Sequence, residues 1–409
     1  MLIVMYHIDH EFFNYLAPHL NDALQAFRLP MYYFISGIFF KLYSGYADFT
    51  RRKVNNILVP FVFFVVFAFA VRLLEYGFRL MVGAEPIEVR LSQLVEPFYL
   101  RYWENTTPLW FLLSLFWVNV IFYAMQRWIK PLWGILLATV ALSVVGYELG
   151  VNKIELPLML DTSLVALPYF VLGWGIKRIG AIAPTKWDRW GILALIAVAM
   201  PIYWLSDFMN LHFQVLPSYW KLYVLPFVAI LALFWACKPL PHIPLFCYYG
   251  RYSLIILGTH PLILQPVRFL LLRQGMESGV ELTLIVFVVT MLVELPLIWL
   301  LKTWAPRFTA QEPFFKPGWK LRYSTSHEAH HPSVGHRVGL CFAVVGLWRS
   351  SGSRRVDLAV DADFGVPYRV ATCHRSDGLA CNLQAVARCR RPARSTTAVM
   401  AYNQADFSF

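Results

Sequence analysis

Charge is scarce in this chain: Asp, Glu, Lys and Arg together make up 15% of 409 residues. So little charge, beside 58% hydrophobic residues, excludes an intrinsically disordered polypeptide, which stays unfolded by having the opposite balance. Cysteine is sparse as well, with six residues, no C-x-x-C pair and no regular spacing. That argues against both a structural zinc site and a disulfide scaffold. The opening MLIVMY has no basic residue and no small-residue cleavage site, so it does not read as a signal peptide. Internal repeats and paired broken helices, the marks of many carriers, are not seen.

What is present is apolar length. Segments 27–43, 57–82, 108–125, 132–151, 156–176, 190–205, 219–237, 253–272 and 280–304 are predominantly apolar. At ~1.5 Å per helical residue, about 20 residues cross a hydrocarbon core ~30 Å thick. Backbone groups in lipid must be satisfied within the segment, so the runs are expected to be helices. A further fragment, 1–7, is too short to cross alone, and its helix is expected to begin upstream of Met1. The fold expected is therefore all-α, a polytopic transmembrane bundle of about ten helices with the first truncated.

The net charge of +12 would suggest nucleic acid in a soluble protein. Here it fits the Lys and Arg that membrane proteins collect in cytoplasmic loops, and no nucleic-acid partner is expected. Lys41, Arg51, Arg52, Lys53, Arg127, Lys130, Lys177, Arg178, Lys186, Arg189, Lys238 and Arg251 fall in one alternating set of loops. Arg28, Arg90, Arg101, Lys153, Lys221, Arg268 and Arg273 fall in the other. The asymmetry places both termini in the cytoplasm of an inner-membrane protein and turns the acidic stretch from Glu85 to Glu104 outward.

Two domains are read: 1–306, the membrane domain, and 307–409, a cytoplasmic and unstructured tail. From Arg322 onward the chain has eleven Arg, no Lys and four of the six cysteines, with no helical or strand period. Within it, His327, Glu328 and His331 match H-E-x-x-H. That motif needs both outer His on one helical face, and Pro332 disfavours helical geometry at His331. His7 and His10 with Glu11 form a second cluster that lacks an indicated third protein ligand for zinc. No metal is expected at either.

The stretch from His7 through RLPMYYFISG (Arg28 to Gly37) to NILVP (Asn56 to Pro60) resembles acyltransferase family 3, nearest its fucose 4-O-acetylase-like branch. PLWFL from Pro108, PYFVLG from Pro168, and GRYS from Gly250 with Gly258-Thr-His260 are similar to later blocks of the family, in the same order. The likeness covers roughly 1–304 and not the tail. It implies a polytopic enzyme that O-acylates surface sugars, with acyl-CoA, acetyl-CoA most simply, as donor substrate and no bound cofactor. The family's basic segment often reads R-x-x-R, whereas Arg51, Arg52 and Lys53 are followed here by Asn55 and Asn56, so that second position is lost.

Acyl transfer to a hydroxyl needs a base, a polarised carbonyl and a hold on the anionic donor. His7 suits the base, since neutral imidazole accepts protons near neutral pH. Asp9 and Glu11 are candidate orienters, Glu11 only if the helix continues one turn past His7. Arg51, Arg52 and Lys53 suit the donor phosphates, against ordinary positive-inside charge. Trp110 is either a substrate-stacking ring or part of an aromatic belt. His260 lies inside a span, where ionisable residues are functional candidates, against a satisfied core histidine. Ser36 and Gly37 read as a close-packing pair rather than a nucleophile. Arg72 and Glu294 also fall inside spans and are read as structural residues first, able to pair across helices.

The expected function is thus an integral membrane acyltransferase acting on a hydroxyl of a surface-polysaccharide or lipid-linked sugar. Its rivals are a membrane sugar carrier without chemistry and a metalloprotease using the His327 segment.

Overall fold

Fourteen α-helices account for most of the computed structural model, which describes residues 1–315 apart from His10, Glu11, Ser44, Val82, Ala84, Pro86, Leu100, 102–106 and His242. The His327 motif and the four tail cysteines lie outside the described residues, as does most of the tail. Among the described residues there is no strand, only an isolated bridge between Asn210 and Val215.

Four short helices open the chain: α1 (Leu2–Ile8), α2 (Phe12–Leu16), α3 (Leu20–Arg28) and α4 (Pro30–Ile38). The single span expected over 27–43 is therefore divided. Pro30 has no N–H to continue a helix and sits at the first helical position of α4, where that lack costs nothing. Next, α5 (Tyr46–Lys53) runs through a π-helical turn at Val54–Leu58 into α6 (Val59–Met81). Then come α7 (Trp110–Trp128), α8 (Leu132–Val151), α9 (Leu160–Arg178), α10 (Gly191–Leu205), α11 (Tyr219–Cys237), the short α12 (Pro244–Arg251), α13 (Ser253–Arg273) and α14 (Val280–Trp304). Among the described residues, seven helical stretches are long and apolar enough to cross a membrane.

Their surfaces say the same. Leu136, Leu137, Val140 and Val144 of α8 are exposed, whereas Ile135, Thr139, Ser143, Gly146 and Gly150 are buried. One helix thus has an apolar outer face and an inner stripe of mostly small residues at three- and four-residue spacing. Such exposed apolar faces are costly in water and neutral in lipid, where helices associate through close packing instead.

Helix α9 sits at the centre, packed against α4, α7 and α8. Its crossing with α4 rests on two glycines. A methyl group at Gly37 would collide with the carbonyl oxygen of Phe170, and one at Gly173 with that of Phe34. Gly37 is thus a packing residue, as its small size suggested. Past Trp304 the described chain turns back on the bundle: Asn55 Nδ2 donates to the Phe315 carbonyl and Phe315 N–H donates to Asn55 Oδ1, both at 2.8 Å. Asn55, at the point where the family's basic spacing is lost, instead holds this return segment.

Candidate active site

A cavity of about 590 Å³ opens among α1, α3, α6, α7, α13 and the loop between α10 and α11. That volume lies within the usual range for small-molecule sites, ~300–1,000 Å³. His7, half-buried, lines it together with Tyr6, Arg28, Tyr32, Trp110 and His212. Helix α1 packs on α13 and α14 and ends one residue past His7. Asp9 is extended there (φ −148°, ψ 118°), so α1 stops at Ile8. Glu11, the other candidate orienter, lies outside the described residues.

His260 comes within reach of His7, their ring centroids 5.4 Å apart at 37°. Its Nδ1–H donates to the Ile256 carbonyl one turn back at 2.6 Å. Nε2 is left as a buried acceptor with no partner among the described residues. The side chain is 1% exposed and borders a smaller void of about 40 Å³ with Met1, Tyr249, Ser253 and Met291. The two spaces share Ile3, Tyr32 and Leu257 as walls.

Trp110 is not an exposed belt residue. It is 6% exposed and its ring stacks on His212 at 4.9 Å and 8°. His212 is held in turn: its Nε2–H donates to the Arg101 carbonyl at 2.6 Å, and its backbone N–H to Asn210 Oδ1 at 3.0 Å. Burial, reinforced by the Arg101 charge and partly offset by that hydrogen bond, lowers the His212 pKa to about 4. The ring is therefore neutral at physiological pH. Arg101 donates to the His212 carbonyl and pairs with Asp161 at the start of α9. It also pairs with Glu155 at 3.1 Å. These contacts tie Arg101, Glu155 and Asp161 to the His212 loop, which lines the cavity.

Arg51, Arg52 and Lys53 do not line the cavity. They lie at the end of α5, about 22 Å along the continuous helix from Ala68, the first α6 residue of the cavity wall. Arg51 and Arg52 bond Asp48 at 3.8 and 3.0 Å. The Arg52 guanidinium lies over Tyr43, and the Lys53 ammonium over Phe40 and Phe49. Arg72 and Glu294 do not pair with each other. Arg72 donates to the Glu88 carbonyl at 3.0–3.1 Å, whereas Glu294 accepts from Thr259 Oγ1 at 2.8 and 3.0 Å. The two side chains project from α6 and α14 into different surroundings.

Two polar residues of this wall were not singled out from sequence. Gln25 and Arg28, from α3, are both buried and both line the cavity. Asn21, Gln25 and Arg28 stand at i, i+4 and i+7, one face of a helix, and all three are buried. That spacing is a signal the sequence carries, hidden because the segment reads as a loop before an apolar run. Among the described residues no group of three or more His, Cys, Asp or Glu could hold a metal ion.

A family profile described as an acyltransferase domain matches residues 1–302. The chain belongs to acyltransferase family 3. No curated protein and no solved structure gave a significant match to it. With membrane-length apolar helices and this domain over most of the chain, the protein is a membrane acyltransferase. The matched region contains every described residue of the cavity wall.

Proposed function

We propose that this membrane acyltransferase moves an acyl group, most simply acetyl, from acyl-CoA to a hydroxyl of a surface-polysaccharide or lipid-linked sugar, in the manner of the fucose 4-O-acetylase-like branch. The observation that carries the reading is His7 on the wall of the large cavity, with Tyr6, Tyr32 and Trp110 around it. In this scheme a sugar hydroxyl lies in the cavity and neutral His7 accepts its proton as the oxygen attacks the thioester carbonyl. The tetrahedral intermediate collapses, expelling CoA thiolate, which takes up the proton from His7 to leave as the thiol. Buried aromatic rings around the base favour the weakly polar faces of a sugar and lower the local dielectric, which strengthens charge stabilisation in the transition state.

The donor reaches this point from the basic segment. Arg51, Arg52 and Lys53 suit its phosphates, and a helix length separates them from the cavity. The long pantetheine arm then lies along the bundle interior, with its thioester end toward His7. The smaller void beside His260, on the Ser253 side of the larger cavity, is consistent with such a route. His260 Nε2, an acceptor unpaired among the described residues and beside the His7 ring, suits an orienting role.

Purified protein incubated with radiolabelled acetyl-CoA and a panel of sugar acceptors is expected to transfer label to a sugar hydroxyl. Absence of transfer to any acceptor, with hydrolysis of acetyl-CoA also absent, sinks the proposal.

A further inference from the structure

The large cavity holds a positive charge that no carboxylate of its described wall answers. Arg28 closes the last turn of α3, is 5% exposed and lines the cavity. Its Nη1 has no hydrogen-bond partner among the described residues. The guanidinium carbon lies 4.0 Å over the Tyr6 ring, and no described carboxylate pairs with it. Glu75, on the same cavity wall, is engaged instead by Arg79 at 2.8 Å. Burial of an unpaired charge is costly, and one cation–π contact returns only part of that cost. The fold therefore holds a desolvated cation at a cavity wall with donors to spare. Gln25, one turn back on α3, adds a buried amide whose Oε1 also lacks a partner among the described residues.

Guanidinium is the side chain best matched to a planar or tetrahedral oxyanion, which it grips through two parallel N–H donors. Tyr6 joins the two functions, its ring under Arg28 on one side and 5.7 Å from the His7 ring on the other. We infer that Arg28 forms an anion subsite beside His7, and that the acyl acceptor carries a carboxylate or phosphate which docks there. The acceptor is then an acidic or phosphorylated sugar, held by its charge while a nearby hydroxyl faces His7. Gln25 takes a neighbouring hydroxyl, its Oε1 accepting. The donor is the less fitting occupant, because its phosphates have the basic segment a helix length away. This assignment rests on the proposed sugar-acylating function, but its test does not need turnover.

Thermal unfolding of the detergent-solubilised protein is followed while glucuronate, glucose 1-phosphate, glucose or CoA is titrated separately. Saturable stabilisation by at least one of the two anionic sugars, and none by glucose at equal concentration, is expected. Arg28→Gln should weaken that binding roughly 10–100-fold, the usual range for a lost charge-assisted hydrogen bond. Arg28→Lys, which keeps the charge but not the fork, should retain part of it and covers the case in which Arg28→Gln fails to fold. Equal binding of glucose and the anionic sugars, or binding unaffected in both variants, overturns the subsite. An Arg28 dependence confined to CoA overturns the acceptor assignment. Loss of acyl transfer with this binding pattern intact would count against the catalytic reading alone.

Discussion

His7 lies at the wall of a cavity with ring neighbours on two sides, which makes its replacement the sharpest test of mechanism. As general base it should be worth ~10²–10⁴-fold in turnover, so His7→Gln should fall by that factor with donor KM little changed. A glutamine that inserts normally and retains full transfer would return His7 to an interfacial role. Replacing both Arg51 and Arg52 by Gln gives the complementary result. Apparent KM for acetyl-CoA should rise more than kcat falls, as when ground-state binding is removed. Their ion pairs with Asp48 at the exposed end of α5 contribute little by themselves.

His212 responds to pH in a direction its surroundings decide. Its folded pKa of about 4 lies below the unfolded value of ~6.5, so the unfolded chain takes up the proton first. Stability should hold above pH 6.5 and decline as pH falls from there toward 4. Melting curves of wild type and His212→Gln over that window are the check. The glutamine variant should show the shallower decline, and identical slopes would mean that His212 titrates normally in the folded protein.

At the scale of helices, the α4–α9 crossing depends on absent side chains. Gly37→Ala or Gly173→Ala puts a methyl into a backbone carbonyl of the opposing helix, and overpacking of this kind costs ~1–3 kcal/mol. Each should lower the melting temperature and the yield of inserted protein, while Gly45→Ala, which meets nothing within 4 Å, should not. The same elements show what sequence alone could reach. Helices of the length of α8 and α14 were legible because twenty or more apolar residues leave no other structure in lipid. The break at Pro30 and the polar face of α3 were not, since hydropathy averages over a buried Arg28 among Leu and Phe. His7, Trp110 and His260 were legible through the family pattern. Their convergence was not, because it depends on how α1 and the turn leading into α7 lean on α13. Nothing in the sequence marks His212, whose place follows from Arg101 and Asp161 closing a loop over Trp110.

Across the whole molecule, orientation connects the site to its substrates. The loops that border the cavity, around Glu88, Pro108 and His212, belong to the set poorer in Lys and Arg. The basic set carries Arg51, Arg52 and Lys53 at the other end of the helices. On the proposed orientation, with the Lys- and Arg-rich loops cytoplasmic, the cavity mouth faces outward and the basic segment faces the compartment of the proposed acyl-CoA donor. Single cysteines in a background lacking the native six report this directly. Lys130 and Glu277 are both exposed and lie in loops of opposite sets. In intact cells Glu277→Cys should react with an impermeant thiol reagent, and Lys130→Cys should react only after the membrane is opened. The reverse pattern would put the cavity mouth on the cytoplasmic side and remove the reason for the donor to thread the bundle. His7 could then still act as base, but on an acceptor carried by the inner leaflet, with the Arg51 segment too far outside to hold its donor.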